Sequence, residues 1–209
     1  MYIYIQSLYF MKRILSFLVL LTILATPFSS KSQELVKGKL NFLKGVTDLK
    51  VSFIYDKLIV GEDGREASYI KRKKAEKEAK EAGSGAAWEE SWYADREKHY
   101  EPSFIEHFGK FCDINLTKDS SVASKYVMVV HTKFIEIGYN VGIKAKKAAV
   151  NLEVEIFDQA NMKKSLCKIM LDDMKGGGGQ FATGPRIGDA YAKAGKEAGK
   201  LIRKKMDDK

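Results

Sequence analysis

The chain has 209 residues, 45% of them hydrophobic, with 36 Lys and Arg against 27 Asp and Glu. This length provides one sizeable hydrophobic core, so it argues against two full domains and favours one of about 150 to 180 residues. Without its first 32 residues the chain has 33 basic and 27 acidic residues, a net charge of +6. Such a moderate excess favours acidic partners, such as anionic lipid headgroups or acidic polysaccharide, but ordinary solubility is the preferred explanation.

The first residues predict an export signal. A basic pair at residues 12–13 precedes an apolar run over 14–25, and small residues occupy the −3 and −1 positions before Gln33. The apolar run is shorter than the roughly 20 residues that span a bilayer, so a transmembrane anchor is the weaker alternative. We therefore predict a signal peptide over residues 1–32, with Met11 as an alternative start. The mature protein is then periplasmic or secreted and has no transmembrane segment, and nucleic acid is not its target.

The domain begins with two predicted strands and a polar helix. Residues 35–43 and 49–55 alternate apolar with polar side chains, as strands do. Residues 65–82 are rich in Ala, Glu and Lys and have little apolar surface to bury. This composition predicts a helix that projects from the body, supported by pairs four residues apart such as Glu76 with Lys80.

A second helical segment carries large aromatic side chains. The Gly-Ser-Gly sequence at residues 83–85 is expected to end the polar helix and to act as a hinge. Trp88 and Trp92 lie four residues apart, so one helical face carries both. Such pairs usually dock onto a sheet as core, and the alternative is a surface on which a carbohydrate or peptide stacks. We name Trp88 and Trp92 as candidate binding residues on that alternative.

A further helix and a short strand complete the central segment. Pro102 is expected to end the aromatic helix, and residues 103–106 match a capping box that starts the next one. Phe104 and Phe108 lie on one face of that helix. Residues 111–116 are then predicted to form a short strand.

Three consecutive strand patterns form the predicted centre of the fold. Residues 126–137 are too rich in β-branched and aromatic side chains for a helix, and residues 149–157 alternate apolar with polar. The glycines of residues 138–142 fit a hairpin turn between them. A third run, 165–171, follows a turn-forming cluster. These patterns predict an antiparallel meander.

A glycine tract over residues 175–186 joins this meander to the last helix. Backbone N–H groups of such a tract are able to cradle an anion at a helix N-terminus. Pro185 and Arg186 replace the Lys and Ser/Thr of a phosphate-binding P-loop, so no P-loop is predicted. The alternative is a mobile or close-packed loop. The candidate binding residues of this tract are Gly178, Gly179, Thr183 and Arg186.

The last helix combines a small-residue stripe with a basic face. Gly195 and Gly199 each cost about 1 kcal/mol relative to alanine, which predicts close contact with a sheet or another helix. The basic face either rests on anionic lipid or is simply solvated. Its residues are Lys193, Lys196, Lys200, Arg203 and Lys204.

The sequence offers few candidates for catalysis or metal binding. The three histidines, His99, His107 and His131, lack the spacing of a metal site or a catalytic triad. Metal ligation by His107 with Asp113 is only weakly favoured. We predict no catalytic residue, no metal site and no cofactor.

The two cysteines allow two interpretations. Cys112 and Cys167 are able to form a disulfide in an exported protein, and equally they fit two buried free thiols. Neither lies near Gln33, so a lipid-anchored form is disfavoured. Neither has the spacing of a redox or zinc motif.

Three short motifs resemble known exported proteins. They are Gly-Lys-Leu-Asn-Phe-Leu at residues 38–43, Gly-Gly-Gln-Phe-Ala-Thr at 178–183 and Ala-Gly-Lys-Glu-Ala-Gly-Lys at 194–200. In these motifs the chain resembles a family of exported proteins of Gram-negative bacteria, a resemblance that names no activity. The element order is more distantly similar to the amino-terminal domain of TolB and to lipoprotein activators of penicillin-binding proteins. The lipobox cysteine is missing and the lysine-rich helix is extra, so the resemblance implies a binding scaffold only by fold-level analogy.

Together these patterns predict an α+β protein. Residues 33–209 are expected to form a single domain with a charged helical insertion at about 65–100. Its mixed, mainly antiparallel sheet has about five to six strands and is packed by the C-terminal helix and the central helical segment. The predicted function is a non-enzymatic module of the cell envelope that binds a protein partner through a sheet edge, the aromatic helix or the basic helix. The alternative is a small enzyme or ligand-binding protein that uses the glycine-rich loop at residues 176–184.

Overall fold

Along the chain, strands come before and after a central helical segment. The computed structural model describes residues 32–207, which belong to one compact unit, so the predicted signal peptide lies outside the described residues apart from Ser32. The strands are β1 Gln33–Gly38, β2 Asp48–Ile54, β3 Ile59–Val60, β4 Asn115–Thr117, β5 Tyr126–Glu136, β6 Tyr139–Asn140, β7 Ala145–Lys146, β8 Ala149–Asp158 and β9 Cys167–Lys175. The helices are α1 Glu66–Glu78, α2 Ser84–Asp95, α3 Glu101–Gly109 and α4 Thr183–Met206, with a π-helical turn, Arg96–Tyr100, between α2 and α3.

Seven strands form one mixed sheet in the order β1-β9-β8-β5-β2-β4, and β3 also pairs with β5. The predicted meander of β5, β8 and β9 is antiparallel and is extended by β1. By contrast β2 and β3 run parallel to β5, and β4 runs parallel to β2. This arrangement confirms the α+β prediction. The strand missing from the prediction is β3, since two residues are too short to show a period.

The helices cover one face of this sheet. Met128, Val130 and Thr132 on β5 are fully buried on that face. The hydroxyls of Thr132 and Tyr191 lie 2.6 Å apart, which joins β5 to α4 inside the core. His131 and Lys133 alternate with these residues and therefore point to the opposite, polar face. Among the described residues, no helix combines the length and the apolar character that crossing a membrane requires.

The terminal helix α4 touches the backbone of α3. A Cβ added to Gly195 would lie 2.2 Å from the carbonyl oxygen of Phe104, and one added to Gly199 would lie 2.8 Å from that of Phe108. Because real Cβ atoms do not approach so closely, only glycine fits at these positions. The predicted close contact of the small-residue stripe is therefore confirmed, with a helix as the partner.

The first strand is shorter than the sequence pattern predicts. It ends at Gly38, whose φ is +79° and where a Cβ would lie 2.0 Å from the carbonyl oxygen of Leu166. The chain then turns into a short 3-10 helix, Asn41–Leu43. This turn places Leu40 and Leu43 in the core, so the apolar pattern continues although the strand does not.

The predicted projecting helix is also wrong, because α1 docks through its first turns. Tyr69 and Ile70 are buried there. Glu76 pairs with Arg72 and Lys73, on its N-terminal side, rather than with Lys80. Two apolar side chains thus hold a helix whose overall hydrophobicity is low. The average hydrophobicity over its length does not reveal them.

The break after α1 is confirmed, and it is closed by hydrogen bonds. Gly83 adopts a φ of +82°, and the Glu78 carboxylate accepts hydrogen bonds from the backbone N–H groups of Gly83 and Gly85. A carboxylate that receives two N–H bonds in this way fixes a turn.

Two boundaries in the central segment differ from the prediction. Pro102 lies in the first turn of α3 and does not end α2. The π-helical turn joins α2 to α3 without a break, so the proline lies inside a continuous helical segment. Ser103 is inside α3, where its carbonyl oxygen contacts His107 Nδ1 at 3.0 Å, so it is not a cap. The strand predicted over residues 111–116 is limited to Asn115–Thr117.

Substitution of Gly195 by alanine tests the contact between α3 and α4. We expect Gly195→Ala to lower the free energy of unfolding by about 2 kcal/mol or more, because its Cβ overpacks a backbone carbonyl. Gly109→Ala is the matched control, since a Cβ at this exposed helical position meets no atom within 4 Å. It should raise the stability by about 0.5 kcal/mol. Urea unfolding followed by circular dichroism measures both, and equal effects would contradict the packing described.

Candidate functional site

A groove of about 430 Å³ lies between α1, the end of β5 and the start of α4. Its aromatic wall is formed by Tyr69 and Trp88. Five basic and three acidic side chains also line it. These are Arg72, Lys73, Lys77, Lys146 and Arg186, with Glu62, Asp63 and Glu136.

The aromatic wall is built on a second layer of rings. Trp88 stacks on Trp92 with ring centroids 6.0 Å apart, and Tyr69 meets Trp88 edge-on at 5.6 Å. Trp92 is buried, and its Nε1 donates a hydrogen bond of 2.7 Å to Glu66. Arg96 donates to the same carboxylate at 2.6 Å. Trp92 is therefore a core residue that supports Trp88, and Trp88 is the tryptophan that reaches the groove.

Arg186 lies at the base of the groove and is only 7% exposed. Its Nε donates to the carbonyl oxygen of Ile137 at 3.0 Å, and its Nη1 donates to those of Gln180 and Phe181 at 3.1 and 2.8 Å. The contacts of Nη2 are longer, 3.4 Å to the carbonyl oxygen of Gly138 and 3.5 Å to Thr183 Oγ1.

This guanidinium has no carboxylate partner among the described residues. Burial lowers the pKa of Arg186 from its ordinary value, yet an arginine remains protonated at any physiological pH. Carbonyl dipoles replace part of the lost hydration, but they do not neutralise the charge. The base of the groove therefore carries a buried positive charge.

Most other charges of the groove are paired. Asp63 accepts two hydrogen bonds from Arg72, at 2.5 and 2.6 Å, and Glu136 pairs with Lys146 at 2.7 Å. Within residues 32–207, Lys77 and Glu62 make no ion pair. The balance of the lining is positive, and its two cations without a carboxylate partner are Lys77 and Arg186.

The structure brings together candidates from two separate motifs. Trp88, from the aromatic helix, and Thr183 and Arg186, from the glycine tract, all line the groove. Gly178 and Gly179 do not line it, and a Cβ on either would meet nothing within 4 Å. Their open position fits the mobile-loop alternative for this part of the tract.

The start of the tract is closely packed and faces an acid. A Cβ on Gly176 would lie 2.8 Å from the backbone nitrogen of Ala190, and one on Gly177 would lie 3.2 Å from the Asp189 carboxylate. A carboxylate at this position repels an anion. The glycine loop itself is therefore a poor anion cradle, and the positive charge available to a ligand is that of Arg186.

The basic face of α4 is partly occupied by neighbouring residues. Lys193 donates to Glu197 at 2.7 Å. The ammonium groups of Lys196 and Lys200 lie 5.1 and 5.3 Å from the ring centroid of Phe111. Arg203 is exposed near the end of the helix. Glu197 therefore offsets one positive charge of this face, and Phe111 holds two of its ammonium groups in place.

Sequence reasoning missed a charged cluster on the polar face of the sheet. His131 lies opposite Glu153 in the β5–β8 register, and ligand atoms of His131, Glu153 and Glu155 are within 4.8 Å of one another. Strand pairing creates this proximity, so spacing along the chain does not reveal it. Lys168 approaches both carboxylates, at 3.2 and 3.5 Å, and Lys133 approaches Glu153 at 3.5 Å. Since the lysines already balance the carboxylates, we assign no metal to this cluster.

The cysteines are free and buried, which corresponds to the second of their two interpretations. Burial raises the pKa of the Cys167 thiol to about 12 and also raises that of Cys112. Thiols of this kind are unreactive at neutral pH.

No protein-family model, curated protein or solved structure matches this chain. The resemblance to exported envelope proteins therefore stays a prediction, and the function must be argued from the groove.

Substitution of Arg186 tests its role at the base of the groove. Arg186→Met should lower the free energy of unfolding by about 2–4 kcal/mol, because several buried carbonyl oxygens lose a charged donor. Hydrogen exchange should accelerate at residues 138–148 and 176–182, which this side chain joins, and not in β8. Arg72→Met is the control, since its ion pairs are half-exposed and worth about 1 kcal/mol or less. Equal losses in the two variants would contradict the assigned role.

Proposed function

We propose that this chain is an exported binding protein whose groove holds a small anionic ligand with a ring-shaped portion. The observation that carries the proposal is the buried Arg186 guanidinium, which lines the groove and makes no ion pair among the described residues. This proposal corresponds to the ligand-binding alternative of the sequence analysis, with the groove replacing the glycine loop as the binding site.

Arg186 is suited to receive an anion. Two of its three nitrogens are engaged by short hydrogen bonds, whereas Nη2 makes only contacts of 3.4 and 3.5 Å. An oxygen of a carboxylate or phosphate would give Nη2 a stronger, charge-assisted bond. The surrounding protein already excludes water from the Arg186 guanidinium before a ligand binds. A ligand would therefore not have to remove much water from this cation.

The remaining walls indicate the rest of the ligand. Lys77 supplies a second cation without an ion pair, and it can approach the ligand because a lysine side chain is long and flexible. The ring of Trp88 is held from behind by Trp92, so it offers a rigid surface for stacking. A volume of about 430 Å³ is typical of sites for small molecules rather than for polymers.

The protein-partner prediction receives less support from the contacts. Trp92 is buried, and the basic face of α4 is partly occupied by Glu197 and Phe111. The edge strand β1 carries a bulge between Leu35 and Lys37. Bulges of this kind twist an edge away from further strand pairing.

Tryptophan fluorescence tests the proposed ligand class. Both tryptophans of the chain belong to the groove wall or its support, so their emission reports on the groove alone. Phenyl phosphate should quench this emission in a saturable way and bind about tenfold more tightly than inorganic phosphate, because stacking on Trp88 is worth about 1–3 kcal/mol. Inorganic phosphate affinity is measured by its competition with phenyl phosphate.

Two lysines on the same helix provide the matched control. Lys77→Ala should weaken phenyl phosphate binding about fivefold or more, through loss of a groove cation. Lys71→Ala removes a lysine of α1 that does not line the groove, and it should leave the affinity unchanged. Identical affinities in the two variants, or no saturable quenching in the unsubstituted protein, would overturn the proposal.

A further inference from the structure

Two loops at one end of the sheet expose the large apolar side chains that are most accessible among the described residues. Ile143 is 96% exposed and Val141 65%, both on the hairpin over residues 138–148. Phe181 is 71% exposed on the glycine loop over residues 176–182. We call this hairpin and this loop together the apolar tip.

The apolar tip is one structural unit. Lys175, the last residue of β9, pairs with Ala149, the first residue of β8, so both loops leave the sheet at the same end. The Gly176 N–H donates to the carbonyl oxygen of Ala148 at 2.9 Å. Arg186 joins the loops a second time, because its guanidinium binds the carbonyl oxygens of Ile137 and Gly138 at the base of the hairpin and that of Phe181 on the glycine loop. The two loops that carry the exposed apolar residues are therefore joined at their bases.

The charged residues within these two loops are all basic. Residues 138–148 contain Lys144, Lys146 and Lys147 and no acidic residue, and residues 176–182 carry no charge. Lys146 pairs with Glu136, whereas Lys144 and Lys147 are exposed and make no ion pair within residues 32–207. An apolar centre with free lysines beside it is complementary to a bilayer of anionic lipids, whose phosphates lie just outside the acyl chains.

We propose that the apolar tip docks on an anionic membrane surface, with Val141, Ile143 and Phe181 entering the headgroup region and Lys144 and Lys147 contacting lipid phosphates. A stable protein interface needs about 800 Å² of fitted surface, roughly 20 to 30 residues, on each partner, whereas residues 138–148 and 176–182 form only two short loops. Insertion into lipid requires no such fitted surface. This docking does not depend on which ligand the groove binds.

The opposite end of β8 provides an internal control of similar chemistry. The turn between β8 and β9 contains Met162, which is 50% exposed, followed by Lys163 and Lys164. If exposed apolar and basic residues were sufficient for membrane contact, this turn would bind as well. Its apolar residues are less exposed than those of the tip, since Leu166 is only 36% exposed, and it follows Asp158.

An environment-sensitive fluorophore on the intact chain tests the docking. Ile143→Cys and Met162→Cys are each labelled with a nitrobenzoxadiazole maleimide, and the buried thiols of Cys112 and Cys167 should stay unlabelled. Vesicles of equal parts phosphatidylglycerol and phosphatidylcholine should shift the emission at position 143 to the blue. Position 162 should show no shift, and pure phosphatidylcholine vesicles should give a much smaller shift at 143.

A second measurement uses variants of the apolar tip. Co-sedimentation measures how the chain from Gln33 onward binds to the same vesicles. All described strands and helices lie within this part of the chain, and circular dichroism confirms that each variant is folded. Ile143→Asp should lower the partition coefficient about tenfold or more, and Lys144→Ala about fivefold. Met162→Asp and Lys163→Ala should leave it unchanged.

Three results would overturn the proposal. The first is a shift of equal size at positions 143 and 162, and the second is no shift at position 143 with anionic vesicles. The third is a blue shift at 143 that depends on protein concentration in the absence of lipid, which would assign the tip to contact between copies of this chain. Trp88→Ala should retain the shift at 143, so failure of the groove proposal and failure of this one are distinguishable.

Discussion

Backbone contact between α4 and α3 is the constraint on which the rest of the structure depends. A side chain at Gly195 would overlap the carbonyl oxygen of Phe104, so the two helices pack at the shortest distance that glycine allows. Such contact fixes the height of α4 above the sheet. It also positions the helix as a whole, including Arg186, which lies one turn after its start. The packing of the core and the position of the groove are therefore set by the same contact.

Arg186 connects the two proposed functional surfaces. Its guanidinium bonds the base of the hairpin and the glycine loop, which carry the exposed apolar residues, and it also lines the groove. A buried cation that is bound by neutral oxygen atoms holds these loops without losing its charge. An anion in the groove and a membrane at the loops would therefore both contact the part of the structure that Arg186 joins.

Predictions from the sequence succeeded where a pattern is local and regular. The alternation over residues 149–157 marks β8, and the glycine spacing of the last helix marks its contact with another helix. The predictions failed where a single contact ends a strand or anchors a helix. Gly38 ends the first strand because its backbone touches Leu166, and α1 docks through Tyr69 and Ile70 although its composition is polar. Averages over a segment do not reveal such single contacts.

The sequence by itself determined the fold class, the central meander, the break at residues 83–85 and the residue types available for binding. These features could be predicted because the hydrophobic period and the positions of glycines determine the structure within a single turn or strand. Only the tertiary structure decided that Trp88 and Arg186 share a groove, that His131 meets Glu153, and that the glycine loop lies beside the hairpin. Each of these pairs is far apart in the chain. Their proximity follows from strand register and helix packing, which depend on the whole core and not on any segment alone.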